Sequence, residues 1–377
     1  MNLAVSFQCP ANIALVKYWG KKETGIQLPA NPSISLTLGD LYATTTLVLK
    51  NRIVNDIVGL SFVFTLEGKK QPTFDSKIAH FLLAIAEDCT WLSEYTLHID
   101  SYNNFPHGTG IASSAAGFGA LGLCIAKAEQ LLLNGSGDAN FNPLPESSDL
   151  VQSDRKSLKT AMPESEVFMQ RSSYLARKGS GSAARSMFSL PAVWGETSAV
   201  GGSSDLFAVP LVSPIHKDLQ DWGDVVLIVD ETEKAVSSSA GHALLQNHPF
   251  AAARFQQAQS NLTSIVHALN DGDVAKFIEI VESEALQLHS MMMTSIPYYI
   301  LMRPNTLSII ERIWQFREKT RLPLCFTLDA GANVHLLFDR KIDETVMNFV
   351  HNTLLYYCKK GQYLCSVLGV APHQIHV

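Results

Sequence analysis

The sequence lacks the motifs that mark several common functional classes. Its six cysteines show no CxxC spacing, and its twelve histidines form no HxxxH pair, so neither residue type predicts a metal site. The net charge is −6 and no basic run is longer than a few residues, which argues against a nucleic-acid surface. No 18 consecutive residues are apolar and no basic leader precedes an apolar stretch, so we expect neither a membrane span nor a signal peptide.

What the chain does have is the composition of a globular protein of two domains. It has 377 residues, of which 46% are hydrophobic. Cys89, Cys124 and Cys325 lie in apolar segments and are expected to be buried free thiols, which suits a reducing, cytoplasmic compartment. Strand and helix patterns mix along the whole chain, which predicts an α+β protein. We predict an N-terminal lobe over 1–200 and a C-terminal lobe over 201–377.

The pattern assigns the following elements. Strands are predicted over 42–50, 60–66, 95–99, 207–212, 224–230, 323–328 and 334–338, and helices over 78–89, from Ser113 onward, and over 165–178, 251–270, 274–289, 305–320 and 344–359. The polar run 134–162 between two helices is predicted to be a surface excursion.

The most informative segment is NNFPHGTGIASSAAG at 103–117. Its proline and glycines allow a tight turn, and Ser113 and Ser114 are good helix-starting residues. A helix that starts here points its free N–H groups and positive dipole end into the loop, which suits phosphate. The loop is neither GxxxxGK[ST] nor a GxGxxG that follows a strand in a βαβ unit, so the P-loop and Rossmann interpretations fail. An ordinary glycine-rich turn before a core helix is the alternative.

Other loops carry charge in unusual surroundings. Lys17 lies in an otherwise apolar stretch, where an unpaired ammonium is costly, so it faces a site, pairs with an anion, or reaches the surface. Ser180, Ser182 and Arg185 share a Gly/Ser loop at 177–186, and an arginine fork with hydroxyls suits carboxylate or phosphate. Asp329 directly follows the apolar run CFTL and is expected to be partly buried. A partly buried carboxylate requires a charged partner or has a functional role, and the alternative is a structural turn residue.

Together, these segments resemble the mevalonate diphosphate decarboxylases of the GHMP kinase superfamily. The similarity runs nearly the whole chain and is densest at 11–21, 28–38, 103–117, 176–186, 236–241 and 329–333. The NNFP, ASSAAG and GSGSAxRS strings are specific, because other GHMP kinases carry only a looser PxxxGxxSS. The resemblance implies a two-lobed GHMP fold, with an N-terminal lobe like ribosomal protein S5 domain 2 and a ferredoxin-like C-terminal lobe. It also implies ATP- and Mg²⁺-dependent phosphorylation of mevalonate 5-diphosphate at its 3-hydroxyl, followed by loss of phosphate and CO2.

The resemblance also assigns site residues. It implies catalytic roles for Lys17, Arg185 and Asp329, with the arginine gripping the substrate carboxylate and the aspartate beside the 3-hydroxyl. The substrate-binding residues that it implies are Tyr18, Lys21, Ser180, Ser182, Arg185 and Ser238. The ATP-binding residues that it implies are Lys234, Pro106, His107, Gly108, Thr109, Gly110, Ile111, Ala112, Ser113, Ser114 and Ala115, with Ser113 or Ser114 near the magnesium ion.

The chain departs from the family pattern at a few positions. His107 and Thr109 stand where eukaryotic members usually carry Thr and Ala, and Ala332 stands where Pro is usual. None of the departures removes a charged group, so we expect activity. The alternatives are a mevalonate 5-phosphate decarboxylase, a GHMP kinase that does not decarboxylate, and a catalytically silent binding protein. We also expect a small-molecule substrate, a homodimer and a cytoplasmic location.

Overall fold

The protein folds around two β-sheets that are covered by helices. The structure, a computed structural model, describes residues 3–22, 27–52, 59–106, 111–136, 164–232, 238–245 and 247–376. The strands are β1 (Leu3–Val16), β2 (Ser33–Asn51), β3 (Ser61–Leu66), β4 (Lys69–Lys70), β5 (Tyr95–Asn103), β6 (Ala192–Trp194), β7 (Ala208–Pro210), β8 (Trp222–Leu227), β9 (Leu324–Leu328), β10 (Val334–Asp339), β11 (Tyr363–Val367) and β12 (His373–Ile375). The α-helices are α1 (Pro72–Ile85), α2 (Ser113–Ser136), α3 (Glu164–Gly179), α4 (Ser238–Ala243), α5 (Ala251–Asp271), α6 (Val274–Met293), α7 (Pro304–Thr320) and α8 (Asp343–Phe349).

The first sheet is built on two long antiparallel strands. Its order is β12-β1-β2-β5-β3-β4, and β6 pairs with both β2 and β7. Side chains of β1, β2 and β5 pack with α1, α2 and α3 into one apolar core. Gly122 of α2 lies so close to α3 that a Cβ there would sit 2.9 Å from the backbone nitrogen of Ala176. This close packing brings the start of α2 next to the end of α3.

The second sheet carries four antiparallel strands in the order β11-β8-β10-β9. One face packs on α7 and α8 through residues such as Phe326 and Leu336. The other face contributes Cys325 and Leu337 to an apolar cluster that also contains Leu15 of β1 and residues of α5 and α6. The two lobes therefore share a buried apolar interface, and β1 runs along it.

The predicted α+β class is confirmed, and most predicted elements match strands or helices of the structure. The helix over 344–359 is wrong in its second half. α8 ends at Phe349 and is followed by a π turn at Val350–Leu354 and short 3₁₀ turns. The continuous helical turns stop at Tyr357, before Lys359, whose N–H donates to the Ile228 carbonyl at 2.7 Å and ties this segment to the end of β8.

The predicted boundary between residues 200 and 201 stays a prediction. The sheets themselves do not divide there, because β7 and β12 both belong to the first sheet. The chain passes from the first sheet to the second between Pro210 and Trp222 and returns to it at His373.

One helix in the described part of the chain, over Ser113–Leu133 of α2, is long and apolar enough to cross a membrane by length and composition alone. It packs against β1, β2 and α3, and most of it is buried inside the protein. A core helix of a globular protein has these same properties. The polar run 134–162 lies almost wholly outside the described residues.

Candidate functional site

A cation from one lobe and a carboxylate from the other meet at the lobe interface. Lys17 follows the last residue of β1, and Asp329 follows the last residue of β9. The Lys17 Nζ lies 3.9 Å from the Asp329 Oδ1, and it donates a hydrogen bond to the Ala14 carbonyl at 2.6 Å. The lysine side chain is 2% exposed, whereas the aspartate is 26% exposed. The buried ammonium of the apolar stretch therefore has an anionic partner, and that partner can be reached from solvent.

Burial sets the acidity of this lysine. It lowers the pKa of Lys17 from 10.5 to about 8, and the carboxylates of Asp329 and Glu284 oppose the shift. The guanidinium groups of Arg185 and Arg254 lower it further. Lys17 is thus an ammonium at neutral pH that gives up its proton at mildly alkaline pH.

Arg185 is held in a buried socket beside this pair. Its Nη1 donates to the Ser33 hydroxyl at 2.6 Å, and its Nε donates to the Ser35 hydroxyl. The guanidinium carbon lies 5.9 Å from the centre of the Trp194 ring. Its other terminal nitrogen, Nη2, makes no hydrogen bond with any residue that the structure describes. The arginine is fixed on one edge and has donor capacity left for an anion such as a carboxylate.

The predicted substrate residues Tyr18, Ser180 and Ser182 lie in the same region. The Tyr18 ring packs edge-on against Trp194, with ring centres 4.6 Å apart. The loop after α3 packs on these rings, because a Cβ on Gly181 would lie 2.9 Å from Tyr18. Along that loop the hydroxyls of Ser180 and Ser182 are 3.3 Å apart. The half-buried Lys21 has its pKa lowered by burial.

The predicted nucleotide loop is described only in part. His107, Gly108, Thr109, Gly110 and Lys234 lie outside the described residues, as does the side chain of Ser238, whose backbone begins α4. Pro106 is described, and α2 begins at Ser113, as predicted from the sequence. Ala112, directly before α2, has φ of +44°, a conformation that non-glycine residues rarely adopt and that is often found at functional sites.

The start of α2 has the features of a phosphate site. The Ser114 side chain is exposed and its hydroxyl lies 3.3 Å from that of Ser180, which joins the two predicted loops. The first turn of α2 has no acidic residue to occupy its free N–H groups. The side chains of Ile111 and Ala115 are buried in the core, and the Ala115 N–H already donates to the Ala112 carbonyl at 2.8 Å. Within the described ranges, no three His, Cys, Asp or Glu side chains form a metal-binding group.

His242 is a site residue that the sequence analysis did not select. Its ring lies between Tyr18 and Trp19, with centres 4.3 Å and 4.5 Å away, and its Nδ1 accepts the Gly20 N–H at 3.0 Å. Burial lowers the pKa of His242 to about 3, helped by the cations of Lys21 and Arg185. The ring is therefore neutral with its proton on Nε2. The available signal was its place at the end of the serine-rich run SSSAGH.

Comparisons with known protein families find one family in both halves of the chain. Residues 9–138 match the diphosphomevalonate decarboxylase-like N-terminal domain, and residues 224–371 match the mevalonate 5-diphosphate decarboxylase C-terminal domain. The chain belongs to the diphosphomevalonate decarboxylase family. The two matched regions contain Lys17 and Ser114 on one side and His242 and Asp329 on the other, so both lobes that form the site carry the family signature.

Individual members of the diphosphomevalonate decarboxylase family match over nearly the whole chain. The diphosphomevalonate decarboxylase of Candida albicans is 29% identical over 360 residues, covering 92% of this chain and 88% of the relative. That of Saccharomyces cerevisiae is 29% identical, covering 92% of this chain and 80% of the relative.

Solved structures of the family share the fold. The mevalonate diphosphate decarboxylase of Staphylococcus aureus superposes with a TM-score of 0.78 at 24% identity, over 100% of this chain and 99% of that one. A structure described as MDDEF in complex with MVAPP, AMPPCP and magnesium superposes with a TM-score of 0.77 at 25% identity, over 100% of both chains. The predicted two-lobed GHMP kinase fold is therefore confirmed.

Proposed function

We propose that the protein uses ATP to decarboxylate mevalonate 5-diphosphate, giving isopentenyl diphosphate, ADP, phosphate and CO2. The observation that carries the proposal is the meeting of Lys17 and Asp329 at 3.9 Å, beside the buried Arg185. Asp329 provides a base for a hydroxyl, Lys17 a cation for developing negative charge, and Arg185 a guanidinium with two parallel donors for a carboxylate. The activities in the names of its relatives support the same reaction.

The start of α2 fits a nucleotide with its magnesium ion. The free N–H groups of its first turn, the exposed Ser114 hydroxyl and the half-buried Ser113 suit phosphate oxygens and a hard cation. ATP supplies the phosphoryl group that turns the 3-hydroxyl into a leaving group, and Mg²⁺ neutralises the phosphate charge. The relative described in complex with AMPPCP and magnesium supports this assignment. Pro106, Ile111 and Ala112 contribute backbone to the same loop, and Ala115 belongs to the first turn of the helix that follows it.

Asp329 and Lys17 act on the 3-hydroxyl. This hydroxyl is tertiary and crowded, so its orientation matters more than its intrinsic reactivity. Asp329 accepts the hydroxyl proton as general base, and its partial exposure leaves room for substrate beside it. The Lys17 ammonium stabilises the negative charge that develops on the oxygen.

Arg185 acts in the second half of the reaction, when phosphate leaves C3 and CO2 is lost. Its donors orient the substrate carboxylate so that the C–C bond aligns with the departing phosphate. Asp329, which is partly exposed, first passes the hydroxyl proton to solvent, and its carboxylate then stabilises the positive character that develops at C3. Tyr18, Lys21, Ser180, Ser182 and Ser238 bind the substrate, and Lys234 interacts with the transferred phosphate. We further propose that the protein is a cytoplasmic homodimer.

One assay tests the reaction. Purified protein is incubated with ATP, Mg²⁺ and mevalonate 5-diphosphate, and ADP and CO2 are measured together. We expect the two products in equal amounts. ADP without CO2 refutes decarboxylation and indicates a kinase, and faster turnover of mevalonate 5-phosphate refutes the proposed substrate. Absence of both products with either substrate indicates a binding protein.

A further inference from the structure

Helix α6 makes two polar contacts with the main chain of the Lys17–Asp329 pair, and the first comes from Glu284. This carboxylate is fully buried, and its Oε2 accepts the backbone N–H of Lys17 at 2.9 Å. Arg254 of α5 donates to both carboxylate oxygens, and Asn261 of the same helix donates to Oε1 at 2.6 Å. Two side chains of α5 thus fix the Glu284 carboxylate, and the carboxylate in turn binds the main chain directly after β1. It fixes the backbone of Lys17 against the second lobe.

The second point is His289, on the same helix. Its Nε2 lies 3.0 Å from the carbonyl oxygen of Asp329, and because a carbonyl only accepts, Nε2 must carry the proton and donate. The ring is 1% exposed. His289 therefore fixes the backbone of Asp329, just as Glu284 fixes the backbone of Lys17.

We propose that α6 sets the relative position of Lys17 and Asp329, with Glu284 and His289 as its two positioning residues. The inference rests on the proposed function of that pair. Both contacts are made to main-chain atoms, so they fix the points from which the two side chains extend. Five residues along a helix correspond to about 7.5 Å, a spacing that a well-packed helix keeps constant. The lysine comes from the first lobe, so this helix also determines how the lobes meet at the reaction centre.

The test changes each contact separately. Glu284→Gln removes the charge and leaves a side chain of the same shape. Because Arg254 is then a buried cation without its partner, the double variant Glu284→Gln/Arg254→Leu is made alongside it. His289→Leu removes the donor, and His289→Gln restores an N–H at the same reach.

Two measurements are made on each variant. The first is kcat and KM with mevalonate 5-diphosphate. The second needs no turnover: it follows competitive acetylation of Lys17 against pH in the substrate-free protein. We expect kcat to fall about 10- to 100-fold in Glu284→Gln, in the double variant and in His289→Leu, as for a misplacement of about 1 Å, with a smaller change in KM. His289→Gln is expected to recover most of the loss.

The acetylation midpoint of Lys17 is expected to move to lower pH in Glu284→Gln and in His289→Leu. Asp329 and Glu284 both raise the pKa of Lys17, against burial and against Arg185 and Arg254. Glu284→Gln removes the Glu284 carboxylate, and His289→Leu lets the Asp329 carboxylate move away from Lys17.

The matched control is Glu282→Gln. Glu282 lies on the same helix two residues away and is paired with Arg317, but it faces Trp314 and β9 and does not contact Lys17. We expect it to lower thermal stability while kcat and the Lys17 midpoint stay unchanged. If the Glu284 and His289 variants behave like this control, the inference is wrong. If Asp329→Asn retains full turnover, the proposed function of the pair fails, whatever the α6 variants do.

Discussion

The two lobes contribute opposite chemistry to the site. The first supplies cations and hydroxyls, with Lys17 and Arg185 buried to 2% exposure and Arg185 held by serine hydroxyls and an aromatic ring. The second supplies carboxylates and the neutral imidazole of His242, and its Asp329 is the more accessible partner. Buried cations are costly unless something compensates them, and here the compensation for Lys17 comes from the other lobe. Neither lobe therefore forms the proposed reaction centre by itself, and under the proposed function the cations are positioned in advance for an anionic substrate.

Removing the accessible carboxylate gives the largest expected effect. Asp329→Asn leaves the lysine without its anionic partner and the 3-hydroxyl without a base. We expect turnover to fall about 10²- to 10⁴-fold, measured as CO2 release at saturating substrates. The control is Asp339→Asn, which changes a carboxylate at the opposite end of the same sheet, where it accepts the Lys341 N–H. A loss within about threefold for Asp329→Asn contradicts its role as base.

Replacing the Arg185 guanidinium of the first lobe is expected to give the next largest effect. In Arg185→Lys the single ammonium cannot bond both serine hydroxyls and still present a planar edge to a carboxylate. We expect kcat/KM for mevalonate 5-diphosphate to fall about 10- to 100-fold, as for a charge-assisted hydrogen bond, while KM for ATP stays unchanged. Arg340→Lys, an exposed arginine paired with Asp221, serves as control. Equal losses for both substrates contradict a role in gripping the carboxylate.

The acidity of Lys17 predicts the pH profile. Because burial lowers the pKa of Lys17 to about 8, the ammonium is lost and turnover falls as the pH rises through about 8. The folded state holds this proton less tightly than the unfolded state, so the contribution of Lys17 to stability rises between pH 8 and 10.5. Its titration therefore lowers turnover without unfolding the protein.

Lys17→Arg keeps a cation at all these values of pH. We expect a several-fold lower kcat but no decline near pH 8, in profiles measured with thermal unfolding in parallel. An unchanged alkaline limb in Lys17→Arg shows that another group titrates there.

The smallest expected effect concerns the neutral histidine. His242→Leu leaves the buried Gly20 N–H without its acceptor, which costs about 1–3 kcal/mol in the free energy of unfolding. Since Gly20 follows Tyr18 and Trp19, we also expect a several-fold higher KM for mevalonate 5-diphosphate. His351→Leu, on an exposed residue that contacts Tyr363, is the control. A stability and KM equal to those of the control contradict this role.

Local patterns in the sequence predicted much of the fold but only part of the site. Apolar periodicity located most helices and strands, and one of the three interpretations of Lys17 in ANIALV was an anionic partner, which the structure provides in Asp329. Glu284 and His289 could not be selected, because on the sequence they are ordinary members of an amphipathic helix, and only the packing of β1 against α6 brings them to the reaction centre. The predicted end of the helix over 344–359 was also wrong, and the bond from Lys359 to Ile228 that follows the continuous helical turns is a long-range contact that no local pattern contains.

The strand β12 has a consequence for how the protein assembles. It pairs with β1, with Ser6 opposite Ile375, although the second lobe lies between these residues in the chain. The closing strand of the first sheet therefore arrives only after the whole second lobe has been synthesised. Such distant pairing costs loop-closure entropy and slows folding. Until β12 arrives, the first sheet keeps an open edge at Ser6–Gln8 of β1, and an open strand edge is a place where wrong pairing can occur.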